Sequence, residues 1–366
     1  MKKAGVEKEL MQHENADKIF GKKVPLWIKI LLVVSLLVVI AVSFMLGRYG
    51  VLSPSDIYDA FYIHFFRPEL IDPSSASYDA TLAGTDRVIF NIRLPRIMLV
   101  VLVGAALSVA GASYQGMFRN PLVSPDILGA STGASLGACF GLLLDMNAFS
   151  VQLLAFIGGM LAVGAAVWIS RLVRYDATLG LVLGGILVST LFQAGTSLIK
   201  FVADAEDKLP TITFWLMGSF SSSNNEKLLL ALIPMALGFV LLLLQRWKLN
   251  VLSFGDEEAR AMGVNTKRTR LLVILASTLL ASISVAVAGV VGWVGLVIPH
   301  LARAVVGPNY KVLLPTSIFI GASYLLIVDN IARLVGAVEI PIGILTAILG
   351  VPFFVVIFRR NMKGWN

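Results

Sequence analysis

The residues of this chain best suited to work outside a membrane lie in 247–270, WKLNVLSFGDEEARAMGVNTKRTR. Within that stretch, 255–263 reads as one short helix. Ser253 or Gly255 can cap it, and Asp256, Glu257 and Glu258 fill the first turn, where the helix dipole favours acids. Ala259, Arg260 and Met262 follow, and Gly263 stands where a left-handed stop belongs. The basic residues Lys267, Arg268 and Arg270 come next. A helix this short cannot build a core of its own. It is either a solvated loop between membrane helices or a knob that carries motion from a soluble partner into the bundle. A second polar pattern is Gly185, Ser189, Gln193, Thr196 and Lys200, whose spacing of three or four places them on one helix face. That stripe can line a route for a polar solute or can satisfy itself by hydrogen bonding inside the bundle. The residue types permit both.

Other chemistry is missing from the sequence. No G-x-x-x-x-G-K-S/T phosphate loop occurs, so the chain does not hydrolyse ATP by that route. His13, His64 and His300 are far apart and share no cluster with Cys139, so no metal site is visible. The lone Cys139 sits in an apolar run, where it reads as a small packing residue. No serine or cysteine lies in a nucleophile motif. Ionisable groups such as Asp329, Arg333, Lys29 and Lys200 fall near the ends of the apolar runs rather than within them. Ion-driven carriers usually place acids inside the membrane, so an ion-coupled secondary transporter is the weaker alternative.

The elements that hold these residues are set by composition. Of 366 residues, 57% are hydrophobic and only 14% are charged, with a mean hydropathy of +0.84. A soluble chain carries roughly 25% charged residues, so this is an integral membrane protein. The net charge of +8 then needs no nucleic acid to explain it. We expect an all-α polytopic protein with about ten transmembrane helices in one bundle. Spans are predicted at 26–46, 95–115, 126–144, 149–171, 178–200, 227–245, 269–291, 298–306, 312–333 and 341–358. The piece at 298–306 is too short to cross alone and should be a partial helix with buried flanks.

Residues 1–25 read as a lysine-rich cytoplasmic tail, and 26–360 as one transmembrane domain interrupted by the 247–270 loop. Residues 49–92 form an acidic outer loop with a short amphipathic piece at 57–66. Basic residues collect in the loops expected on the cytoplasmic side, among them Arg119, Arg171, Arg174, Arg246, Lys248 and Lys311, with Arg359, Arg360 and Lys363 in the tail. Both termini should therefore be cytoplasmic in a cell membrane. Arg93 and Arg96 break the pattern, falling at the outer end of the second span. Gly129, Gly133, Gly137 and Gly141 recur every four residues and should let a neighbouring helix approach closely. Gly180 and Gly184 repeat the device.

Three segments taken together resemble one family, the permeases of ABC importers for ferric siderophores, haem and cobalamin. They are RLPR at 93–96 with its continuation to Gly129, LSFGDEEARAMG at 252–263, and GVVGWVGLVIPHLAR at 289–303. The resemblance covers about 90–358. It implies a ten-span subunit paired with a second permease copy, usually identical. Two ATPase subunits would bind below, bringing ATP and magnesium, and a substrate-binding protein would dock above. This chain would hold no cofactor of its own. The resemblance also makes residues 256–262 a coupling helix in a groove of the ATPase. It makes Arg93, Arg96 and Arg333 basic positions that meet acids of the binding protein. Trp215 would belong to a short outer gating helix after the fifth span, and Thr178 would lie near the inner gate.

Overall fold

With no water to satisfy them, backbone amides in a bilayer must bond within their own segment, and the expected spans are helical. The computed structural model describes residues 24–75, 77–172, 177–336 and 338–362. The tail at 1–23 and the expected inner charges Arg174 and Lys363 lie outside the described residues. The helices are α1 (Leu26–Met45), α2 (Pro54–Phe66), α3 (Ala80–Arg87), α4 (Leu94–Phe118), α5 (Ala130–Leu143), α6 (Ala148–Ser170) and α7 (Ala177–Val202). They continue with α8 (Lys208–Leu216), α9 (Asn225–Leu252), α10 (Asp256–Ala261), α11 (Thr266–Ala288), α12 (Val294–Val306), α13 (Tyr310–Leu334) and α14 (Ile342–Met362). Among the described residues, seven stretches are long and apolar enough to cross a membrane. The shorter apolar helices at 130–143, 294–306 and 342–355 bring the set to the ten expected.

The second span differs from its expected limits. Asp79 caps α3 by accepting from the backbone N–H groups of Thr81 and Leu82. A π-helical turn, Val88–Arg93, then joins α3 to α4 without a break. Ala80–Phe118 is thus one helix of 39 residues, about 58 Å at the usual rise. Arg93 and Arg96 lie inside a continuous helix, not at its end. The hydrophobic pattern could not reveal this, because the first two turns of that helix are polar.

α4 is the hub, packed against α1, α9, α11, α12 and α13. Its small residues allow this crowding. A Cβ on Gly111 would lie 1.8 Å from the Gly295 carbonyl oxygen on α12, and one on Gly104 would lie 2.4 Å from that of Gly321 on α13. The 129–141 glycines act as expected in part. Gly133 and Gly137 abut the Gly158 and Leu154 carbonyls of α6, at 2.3 and 2.1 Å from a built Cβ. Gly129 instead adopts φ +86° as the residue before α5.

Two stretches, 119–129 and 289–293, are not α-helical, and the first passes from exposed residues at Arg119 to Leu122 into the bundle. The chain leaves α4 at Arg119 and turns through a 3-10 segment, Pro125–Leu128, whose Pro125 ring meets Gly295. Residues 289–293 likewise precede α12, a helix of 13 residues, about 20 Å long and short of a full crossing as expected. Side chains tie α12 to the first stretch and to α4. His300 donates to the Pro121 carbonyl at 2.8 Å, while Gln115 donates to Leu296 O at 3.3 Å and accepts from Arg303.

Gly111→Val should therefore cost about 1–3 kcal/mol or more through overpacking. Gly164→Ala, where a Cβ meets nothing within 4 Å, should be neutral or slightly stabilising. Denaturation midpoints in detergent would check this, and equal losses would count against close packing at the α4–α12 crossing.

Candidate functional site

Functional side chains gather at the two ends of the bundle and along α7. At the basic end, α10 is a helix of 6 residues whose N-cap is Gly255 at φ +130°. Ser253 does not cap it, because its hydroxyl bonds back to the Asn250 carbonyl. Gly263 is left-handed at φ +79°, as the sequence predicted. The helix borrows a core from its flanks. Ala259 is fully buried with Val251, Leu252 and Val264. That contact fixes the outward face, where Glu257, Glu258 and Arg260 are exposed and Met262 is 50% exposed beside the half-exposed Phe254. An acidic face with two large apolar side chains, held rigidly beyond the span ends, is suited to seat in a partner's groove.

Asp256 is turned inward. It accepts from Arg270 at 2.8 Å, and the same guanidinium donates to the Thr178 hydroxyl at 3.0 Å. The expected coupling helix and the expected gate residue are thus joined through Arg270, which sequence reasoning noted only as part of a basic cluster. The available signal was its place at the fifth residue of α11, where the helix is already turning apolar.

At the opposite end, Arg93, Arg96 and Arg333 do not stand free as docking charges. They are 2%, 7% and 4% exposed. Arg93 donates to the carbonyls of Phe44, Met45 and Gly50 at the end of α1. Arg96 forks between two acids. Its Nε lies 3.1 Å from both Asp329 oxygens, and its Nη1 and Nη2 reach Glu339 at 2.8 and 3.0 Å. Arg333 approaches Asp329 at 3.6 Å and donates to the Ser43 carbonyl and to Asn330. Asp329 is therefore a fully buried acid near the end of α13, where the sequence placed it. With two arginines on it, it is neutralised by fixed cations rather than offered to a mobile ion. Above the cluster opens a cavity of ≈ 690 Å³ lined by Arg48, Arg93, Arg96, Arg333, Glu339 and Phe214.

The neighbouring α8 carries Trp215, half-buried. Its carbonyl would lie 2.4 Å from a Cβ on Gly289. Ser219 N–H donates to Ala288 O, and the N–H groups of Ile342 and Gly343 donate to Gly218 and Met217 carbonyls at 3.0 Å. The ends of α8 and α11 and the start of α14 thus meet backbone to backbone, through glycines at φ +74° (Gly218) and +70° (Gly289).

The α7 stripe divides. Gly185 is buried, with the Ile127 carbonyl 2.0 Å from a built Cβ, so it packs on the 125–128 turn. The absence of a side chain is what lets that backbone come so close. Ser189 is half-buried beside Gly129, and the Thr196 hydroxyl bonds to the Phe192 carbonyl of its own helix. Gln193 is open to the surface. The opposite face, with Leu187 and Leu191, is 60% and 69% exposed.

The sequence matches the FecCD transport family over residues 31–360. It is 42% identical over 281 residues to the molybdate import system permease protein MolB of Haemophilus influenzae, covering 76% of this chain and 83% of that one. It is 39% identical over 282 residues to the hemin transport system permease protein HmuU of Yersinia pestis, covering 75% and 83%. A solved structure of an inward-facing ABC transporter assigned to the metal-chelate type aligns with a TM-score of 0.78 at 38% identity, over 90% of this chain and 97% of that one.

Breaking the Arg96 fork should be graded by burial. Asp329→Asn, at a fully buried carboxylate, should cost about 3–5 kcal/mol because it leaves buried cations uncompensated. Glu339→Gln, at a partly exposed one, should cost about 1–3 kcal/mol. Unfolding midpoints of the two variants in detergent would show the order, and a reversed order would remove Asp329 as the anchor.

Proposed function

The chain belongs to the FecCD transport family and is an ABC importer permease, and from that premise we propose that its cargo is a metal chelate. A ferric siderophore is the first choice, then haem, then cobalamin. The observation that carries the choice of a bulky chelate is the α7 face. Ser189, Gln193 and Thr196 offer uncharged polar contacts, and no charge precedes Lys200 along that face. A small oxyanion would be better served by fixed cations along its route. A large chelate must enter and leave without being held tightly.

In this reading two copies of the chain pair with their α7 faces toward a central route. The basic end is cytoplasmic, in keeping with Arg119, Arg171, Arg246, Lys248 and Lys311 near that side, and both termini lie there in the cell membrane. Two ATPase subunits seat the outward face of α10, and hydrolysis takes place on those chains. A substrate-binding protein docks over the arginine-lined cavity at the acidic end. An acid of that protein reaches Arg96 only by exchanging with Glu339, so docking competes with an internal ion pair.

The cargo is tested by measuring ligand binding to the binding protein that associates with this permease, using ferric hydroxamates and catecholates, haemin, cobalamin and molybdate. Tight binding of a ferric chelate is the expected result, and selective binding of molybdate would sink it. The coupling role is tested separately. Gly263→Val puts a β-branched residue at a left-handed position, a local strain of about 1–2 kcal/mol. A Cβ there meets no neighbour within 4 Å, so the chain should still insert and pair. Co-purification with the ATPase and uptake should fall together, and unaltered uptake would take α10 out of the mechanism.

A further inference from the structure

We infer that Arg270 is the positioning residue that passes movement of α10 to α7. The inference rests on the reading of α10 as the ATPase contact. One guanidinium holds both ends of the link, with Nη2 on Asp256 at 2.8 Å and Nη1 on Thr178 at 3.0 Å. Its side chain is 12% exposed and that of Asp256 33%, so the pair is sheltered from full solvent screening. The guanidinium is planar and its donors are fixed relative to one another. Asp256 and Thr178 therefore cannot shift apart without giving up one of the two bonds.

The packing around the link gives it consequence. α10 is fastened to its own flanks by Ala259, Val251, Leu252 and Val264. Among the described residues α7 packs chiefly on α5, α6 and the 125–128 turn, with at most slight contact on α10 or α11. A push on α10 thus has no broad apolar surface through which to reach α7, and the Arg270 fork spans that gap. Thr178 is the second residue of α7, a helix of 26 residues. A shift at its first turn is carried along a stiff rod to Ser189, Gln193 and Thr196, and on toward α8 and Trp215. The residue that binds the first acid of the partner-facing helix is therefore also the residue that holds the start of the route-lining helix.

The test uses the full chain purified with its ATPase and reconstituted in lipid. Gln193→Cys is placed in a Cys139→Ala background as a reporter, and its rate of reaction with a water-soluble maleimide is read with and without ATP. The unaltered link should give a rate that changes on adding ATP. Arg270→Lys keeps a cation for Asp256 but cannot also reach Thr178, and Thr178→Val removes the other acceptor at nearly constant shape. Both should still assemble with the ATPase, and in both the ATP-dependent change should shrink by roughly tenfold, as loss of a hydrogen bond to a charged group implies. The double variant should be no worse than either single one. Lys267→Ala, at an exposed position on the same helix, serves as the control and should respond normally. If Arg270 only anchored Asp256, Arg270→Lys would respond fully and Thr178→Val would be silent, and either result overturns the link. Failure of the wild-type chain to capture an ATPase would overturn the functional reading and this inference with it. A full ATP response in Arg270→Lys would overturn the inference alone.

Discussion

Every backbone amide at membrane depth must find a partner inside the protein, and the architecture follows from how two non-helical stretches meet that demand. Residues 289–293 and the end of the 119–129 stretch, from Val123 to Gly129, leave the α-helical pattern while packed into the bundle. They are accommodated because α4 is narrow. Its glycines let α12 and α13 lie almost against its backbone, and Gln115 and His300 donate to the Val123 and Pro121 carbonyls of the first stretch. The partial crossing by α12 is then a fixed part of the fold and not a frayed span. Helices with larger side chains at the α4 surface would hold the bundle further apart and leave those stretches unsatisfied.

Electrostatics divides the molecule in a similar way. At the acidic end one cluster of charges is buried, and it staples α1, α4 and α13 to the loop before α14. Arg93 holds the end of α1 by three carbonyls, while Arg96 and Arg333 share Asp329. At the basic end most charges remain in solvent, and the Asp256–Arg270 pair stands out as partly sheltered. One end is thus tied by buried charges, and the other carries its charges at the surface.

Much of this was legible in the sequence. Span positions follow from hydropathy, since a long apolar run has little choice but to be a helix in lipid. The α10 stop at Gly263 follows from the conformational freedom of glycine, and the approach of α5 to α6 from Gly133 and Gly137 at helical spacing. What could not be read is pairing between distant residues. The burial of Arg96 depends on Asp329 and Glu339, and the role of Arg270 depends on Thr178, and no local pattern links those positions. Gly185 shows the same limit. Its spacing put it on the polar stripe, but only the arrival of the 125–128 turn decided that this part of the face is covered. The polar start of α3 hid the continuity of the second span, because periodicity was sought only in apolar residues.

The Arg96 fork has a consequence for how the chain is made. Arg96 and Asp329 are separated by 233 positions, and ribosomes add roughly 5–20 residues each second. The second span therefore enters the bilayer about 10–50 s before its counter-charge is synthesised. For that interval the guanidinium is an unpaired cation in a nascent helix, drawn toward the nearer aqueous surface by its own hydration. The helix can settle at its final depth only when α13 arrives. A chain truncated before α13 would therefore carry Arg96 without the buried acid that pairs with it.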